Sequence, residues 1–179
     1  SNISNCINNA VPVISGTTGW LEKYDDVIEL CHQKKGAFIY ASNFSLGVNI
    51  FFELNAQLAK MMNSLNDYTS TLEEIHHTKK LDAPSGTAIT LAEGIIDNSS
   101  KTAWKLDGNT SKEIIPITAK RIADIPGTHT VDYTSAVDSI EIKHTAHNRQ
   151  GFALGALVAA EWLQDKKGVY TMKNVLNIG

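Results

Sequence analysis

The fold is decided by Val11-Pro12-Val13-Ile14-Ser15-Gly16-Thr17-Thr18-Gly19-Trp20, a helical pattern over 21–35, and Ala37-Phe38-Ile39-Tyr40-Ala41. Residues 11–15 form a short apolar run with Pro12 near its start, as a buried strand does. The Gly16-Thr17-Thr18-Gly19 turn ends it. Leu21, Tyr24, Val27, Ile28 and Cys31 then recur at helical spacing. Acidic Glu22, Asp25 and Asp26 precede basic Lys34 and Lys35, the order that suits the helix dipole, and Gly36 is the expected stop. Residues 37–41 read as a second buried strand. Strand, helix and strand in this order predict a parallel βαβ unit and an α/β chain. Small and polar residues follow both strands, where open α/β sheets place their ligands.

Working outward, 47–62 reads as a long amphipathic helix with Val48, Phe51, Phe52, Leu54, Leu58 and Met61 or Met62 on its apolar side. After Asn63 the pattern changes. Residues 68–77 read as a strand and 85–96 as a helix opened by Asp82-Ala83-Pro84-Ser85-Gly86. Residues 113–120, 128–136 and 138–146 read as β-branched strands separated by turns such as Pro126-Gly127. Residues 150–163 form an Ala-rich helix, and 169–179 a short tail, irregular or briefly helical. No element is assigned to 1–10. An α/β unit followed by helix-backed antiparallel strands predicts two lobes, 1–44 with 150–179, and 45–149.

Composition narrows the function. The chain has 179 residues, 42% hydrophobic and 20% charged, which is ordinary globular usage and enough for a core. A net charge of −3 argues against nucleic-acid and anionic-membrane partners. Cys6 and Cys31 make neither a disulfide framework nor a thiolate zinc site, and suit a reducing, cytoplasmic setting. The longest apolar run, 152–163, is interrupted by Glu161 and is shorter than the roughly 20 residues a bilayer needs.

The densest polar stretch is Glu73-Glu74-Ile75-His76-His77-Thr78-Lys79-Lys80-Leu81-Asp82-Ala83-Pro84-Ser85-Gly86-Thr87. In an extended chain His76, Thr78 and Lys80 share one face and His77 and Lys79 the other. Their long side chains, or a bend after Thr78, would bring His76 and Lys80 onto one small molecule. Histidine suits proton transfer near neutral pH, and lysine supplies positive charge or a proton. A solvated basic strand end is the plainer reading. Ser85-Gly86-Thr87 opens a helix, so it is either an ordinary cap or a seat for a carboxylate or phosphate. Gly16-Thr17-Thr18-Gly19 is either a tight turn or a nucleotide contact. His144 and His147 lack an adjacent acidic ligand, so no metal site is expected there, and Arg149 is a forked donor for a carboxylate. Trp104, Trp162 and Met61-Met62 read as packing residues.

The run from His76 to Ala88 resembles the H-H-x-x-K-x-D-A-P-S-G-T-A signature of the dihydrodipicolinate (4-hydroxy-tetrahydrodipicolinate) reductase family. Gly16-Thr17-Thr18-Gly19-Trp20 resembles that family's G-T-T-G-aromatic loop, and residues 41–49 its A-x-N-F-S-x-G-V-N hinge. Ala123-Asp124-Ile125-Pro126-Gly127-Thr128-His129 resembles its G-D-I-x-G-x-H stretch, and Arg149 with the helix after it also fits. The resemblance implies an α/β chain, α+β overall, with a partial Rossmann-like nucleotide-binding lobe and a mixed β-sheet substrate and oligomerisation lobe. It implies NADH or NADPH as cofactor, a small dicarboxylate substrate, a homotetramer, and a place in lysine and diaminopimelate biosynthesis. His76 and Lys80 would be catalytic. His77, Ser85, Gly86, Thr87 and Arg149 would hold substrate. Gly16, Thr17, Thr18, Ala41, Ser42, Asn43 and Phe44 would touch the cofactor. No metal is implied.

The family opens with a strand, a glycine-rich phosphate loop and a ribose-reading residue, and nothing before Val11 resembles these. The expectation is a fragment of a longer protein or a naturally short relative, with weak or absent cofactor binding of its own. Three rivals stand beside this reading. They are a non-catalytic binding or oligomerisation domain, a sibling two-lobe dehydrogenase, and a metal-dependent hydrolase using His76, His77, His144 and His147.

Overall fold

The computed structural model describes residues 1–17, 19–109 and 111–178. The chain divides into two compact units, residues 1–49 with 150–179, and residues 50–149.

The first unit carries a three-stranded parallel sheet in the order β1 (Val13–Ser15), β2 (Ala37–Tyr40), β8 (Gly168–Tyr170). The predicted parallel βαβ unit is present, with Val13 registered on Phe38 and Ser15 on Tyr40. Its helix begins later than the periodicity suggests. Leu21–Lys23 is a 3-10 turn, and α2 runs Tyr24–Gln33. The left-handed residue that ends α2 is Lys35 (φ 51°), not Gly36. Gly36 serves packing instead, since a Cβ there would lie 3.3 Å from Ile7 Cγ2 and 3.4 Å from Cys31 Sγ. Two elements escape the sequence patterns, α1 (Asn2–Asn8) and β8, which gives the predicted tail a third strand before α6 (Met172–Leu176).

Both faces of this sheet are covered. Phe38 packs with Ile7, Val27 and Cys31. Its neighbours Ala37 and Ile39, on the opposite face, pack with Phe44, Ala159, Leu163 and Met172. Helix α5 (Gln150–Leu163) approaches so closely that a Cβ at Gly155 would sit 1.8 Å from the Phe44 carbonyl oxygen. Trp162 packs as predicted, edge-on to Tyr170 and beneath the Lys166 ammonium at 4.4 Å.

The second unit holds a five-stranded sheet in the order β4 (Ala103–Leu106), β5 (Ile114–Arg121), β3 (Thr69–His76), β6 (Gly127–Thr134), β7 (Ser139–Ala146). The strands expected to be antiparallel are only partly so. β6 pairs antiparallel with β3 and β7, whereas β5 runs parallel to β3, and the unpredicted β4 runs parallel to β5. The sheet is therefore mixed. α4 (Gly86–Ile96) supplies Leu91 and Ile95, and α3 (Leu46–Met62) supplies Phe51, Leu58 and Met62, to a core with Leu72, Ile115, Ile117 and Val131. Trp104 packs at its edge. Leu54, assigned to the apolar side of α3, is instead 55% exposed, and of the Met61 or Met62 alternatives it is Met62 that is buried.

Candidate active site

The site is organised by the C-terminal end of β3. Alternation along this strand turns Ser70, Leu72, Glu74 and His76 to the buried side. Sheet register then adds residues from distant sequence, since His76 is partnered by Arg121 on β5 and Glu74 by His129 on β6.

Glu74 is fully buried and is the hub of this group. Its Oε2 accepts the Ser85 backbone N–H at 3.0 Å, and its Oε1 accepts Arg121 Nη2 at 3.1 Å. His76 Nδ1 lies 3.3 Å and His129 Nε2 3.7 Å from Oε2. The His76 contact is close but not aligned as a hydrogen bond. Burial pushes the Glu74 carboxyl up, yet His76, Ser85 and Arg121 together overcome this and hold it at about 2. His129 is lowered to about 3, first by burial and then by the neighbouring His76, so its ring is neutral at ordinary pH. The two imidazoles meet edge-on with centroids 5.0 Å apart.

The bend foreseen as one option is what occurs. β3 ends at His76, and a turn follows in which Lys80 N donates to His77 O at 3.1 Å. His76 O accepts Ile122 N, and Ala123 O accepts Thr78 N, which fixes the turn to the end of β5. The strict face-sharing of His76, Thr78 and Lys80 is thereby lost. Lys80 Nζ reaches both carboxylate oxygens of Asp82 at 2.8 Å. Arg121 also donates to the Asp82 carbonyl at 2.7 Å, binding this loop to the sheet.

Ser85 is the N-cap of α4, and its Oγ accepts Ala88 N at 3.2 Å and bonds His129 Nε2 at 3.1 Å. The cap reading of Ser85-Gly86-Thr87 is met, and capping uses only part of the helix's N-terminal amide set. Gly86 is exposed, and a Cβ there would meet nothing within 4 Å, so the helix start faces open space. Thr87 is buried beside it. Arg149 Nη2 lies 3.1 Å from His77 Nε2. Guanidinium can only donate, so His77 presents a bare Nε2 and carries its proton on Nδ1.

Gly127 borders His76, and a Cβ on it would stand 3.1 Å from His76 Nε2. Glu74, Arg121 and His129 are given no role by the sequence reading. Strand alternation could have paired Glu74 with His76, but Arg121 and His129 depend on long-range register.

The candidate cofactor residues lie in the first unit, at the C-terminal ends of β1 and β2. Ala41 N donates to Ser15 O at 3.1 Å, joining the two strand ends. A Cβ on Gly16 would be 3.2 Å from the Phe44 ring, so those two positions touch. Ser15 Oγ and Thr17 Oγ1 are 3.2 Å apart. Asn43 accepts Ser45 N through Oδ1 and Asn49 Nδ2 through its carbonyl, which shapes the Ala41-Ser42-Asn43-Phe44 segment. Thr18 lies outside the described residues.

The four-histidine metal set is not assembled. Among the described residues the candidate ligand group is Glu74, His76 and His129, with donor atoms within 4.8 Å of one another. His77 is bonded to Arg149, and His144 stacks near Phe51. No helix among the described residues is long and apolar enough to cross a membrane.

A family model described as "Dihydrodipicolinate reductase, C-terminus" matches residues 47–176. The chain belongs to the dihydrodipicolinate reductase family. It is 60% identical over 177 residues to the 4-hydroxy-tetrahydrodipicolinate reductase of Christiangramia forsetii, covering 98% of this chain and 74% of that protein. Against the enzyme of the same name from Thermosipho africanus it is 40% identical, covering 92% of this chain and 67% of the relative. The fold is similar to that of a solved dipicolinate-bound dihydrodipicolinate reductase from Paenisporosarcina sp. TG-14, with TM-score 0.70 and 23% identity, over 95% of this chain and 66% of that one.

Proposed function

We propose that this chain provides the dicarboxylate-binding and proton-handling part of a 4-hydroxy-tetrahydrodipicolinate reductase acting in lysine and diaminopimelate biosynthesis. The observation that carries this reading is the junction of β3 and α4. There Glu74 ties His76 to Ser85 at the N-terminus of α4, Lys80 lies in the short loop between them, and Arg149 bonds His77, the next residue after His76. A planar ring with two carboxylates suits such a place, since helix-end amides, guanidinium and ammonium all favour negative charge. His76 is placed to exchange a proton, its Nδ1 turned to the Glu74 carboxylate and its Nε2 toward Gly127. Lys80 is held by Asp82, and an ammonium has a third hydrogen to offer a ligand.

A nicotinamide cofactor, when bound, supplies the hydride. Gly16, Thr17, Ala41, Ser42, Asn43 and Phe44 fit such a group, because they join the ends of two parallel strands, with a side-chain-free position at Gly16. A homotetramer in the cytoplasm is part of the same proposal. The Glu74 cluster reads as an ion-pair hub and not a metal centre, because Arg121 and the Ser85 amide already occupy its two oxygens.

Calorimetric titration of the chain with pyridine-2,6-dicarboxylate tests the reading. Saturable binding that weakens at least tenfold in Thr87→Val and Arg149→Ala is expected. Absence of binding, or binding indifferent to both changes, overturns it.

A further inference from the structure

A cavity lies at the opposite end of β3 from His76, six residues and therefore about 20 Å along the strand. It has a volume of about 160 Å³, room for about five waters, and is lined by the ends of α3 and α4 and by Ser70, Lys101 and Tyr133. Ser70 and Tyr133 are direct cross-strand partners on β3 and β6. They are 1% and 5% exposed, and neither Ser70 Oγ nor Tyr133 Oη has a hydrogen-bond partner in the protein. Two buried hydroxyls on neighbouring residues, each without a protein partner, are costly, and both residues line the same cavity. Met62 and Ile95 close its apolar side.

The cationic side of the cavity is built by the loop after α4. Ser100 N donates to Asn63 Oδ1 at 2.7 Å and Lys101 N to Ser99 Oγ at 3.2 Å, which fixes the course of this loop. Lys101 Nζ donates one hydrogen to Ser111 O at 2.8 Å, and an ammonium has two more. Lys112 also lines the cavity, and among the described lining residues none is acidic. Asp138, which Tyr68 reaches, is bonded by Tyr68 Oη and Ser135 Oγ.

We propose that this cavity is a binding site for a small oxyanion, a compact carboxylate or phosphate, held by the Ser70 and Tyr133 hydroxyls and the Lys101 ammonium. Hydroxyl donors beside a half-buried ammonium, with no carboxylate in the lining, match that chemistry and disfavour a cation. The site stands apart from the dicarboxylate seat and does not rest on the activity proposed above.

The test is an NMR titration of the ¹⁵N-labelled chain with sodium phosphate and, separately, sodium acetate, each against sodium chloride at equal ionic strength. Saturable shifts at the Ser70, Lys101 and Tyr133 amides are expected, read separately from any at Gly86 and Thr87. The two titrations distinguish a phosphate from a carboxylate ligand. Affinity should fall at least tenfold in Tyr133→Phe and in Lys101→Met, with Ser70→Ala as the substitute if either fails to fold. Shifts no different from chloride, or affinity unchanged in the variants, would mean that these hydroxyls are only hydrated, and the proposal fails.

Discussion

The Ser85 backbone amide donates to the buried Glu74 carboxylate at 3.0 Å, tying the first residue of the α4 cap to the strand that carries His76. The pair is eleven residues apart, and the loop between them contains Lys80 and Asp82. One carboxylate therefore lies against both the His76 ring and the N-terminal end of α4.

Glu74→Gln keeps the shape and removes the charge. Arg121 then loses its ionic partner in a buried setting, a change that costs about 3 kcal/mol. Urea unfolding should show that loss. Dicarboxylate affinity should fall with it, because the Ser85 amide and the His76 ring lose their common anchor.

Acid should unfold the protein through two separable groups. The neutral form of His129 is favoured in the folded state, where its pKa is about 3 against an ordinary 6.5. The unfolded chain binds the extra proton first, so stability falls as pH drops from 6.5 toward 3. Glu74, at about 2 against 4.5, adds a second loss between pH 4.5 and 2. Melting temperature against pH should lose its upper slope in His129→Gln and its lower slope in Glu74→Gln.

Gly86→Ala separates folding from binding. Nothing lies within 4 Å of the added methyl, and alanine is a better helix former than glycine, so thermal stability should hold or rise slightly. The same methyl projects at the helix start where a carboxylate would rest. Affinity for pyridine-2,6-dicarboxylate should drop at least tenfold by calorimetry.

In a full-length enzyme carrying this sequence, His76→Gln should lower kcat by about 10²- to 10⁴-fold with little change in circular dichroism. Unchanged turnover would remove His76 from the proton-transfer role. Lys80→Ala should also reduce kcat, and Asp82→Asn, which frees the ammonium from its ion pair, should change kcat less than Lys80→Ala does.

Local pattern was enough for the parallel βαβ unit, for the strand read over 68–77 and found at Thr69–His76, and for the capped helix beginning at Ser85-Gly86-Thr87. Each of these rests on period-two or period-3.6 spacing, or on a cap residue, and so is written within a dozen neighbouring positions. Helix α1 and strands β4 and β8 lack such marks, being short and stabilised by what they pack against.

The residues proposed to carry the chemistry divide the same way. His76, His77, Lys80 and the Ser85-Gly86-Thr87 turn lie within one twelve-residue stretch, and the sequence alone names them and the family they belong to. That Arg121 and His129 converge on Glu74 was decided only by tertiary structure. Strand register is set by the burial of whole faces and by which strands become neighbours, and no segment of chain contains that information by itself.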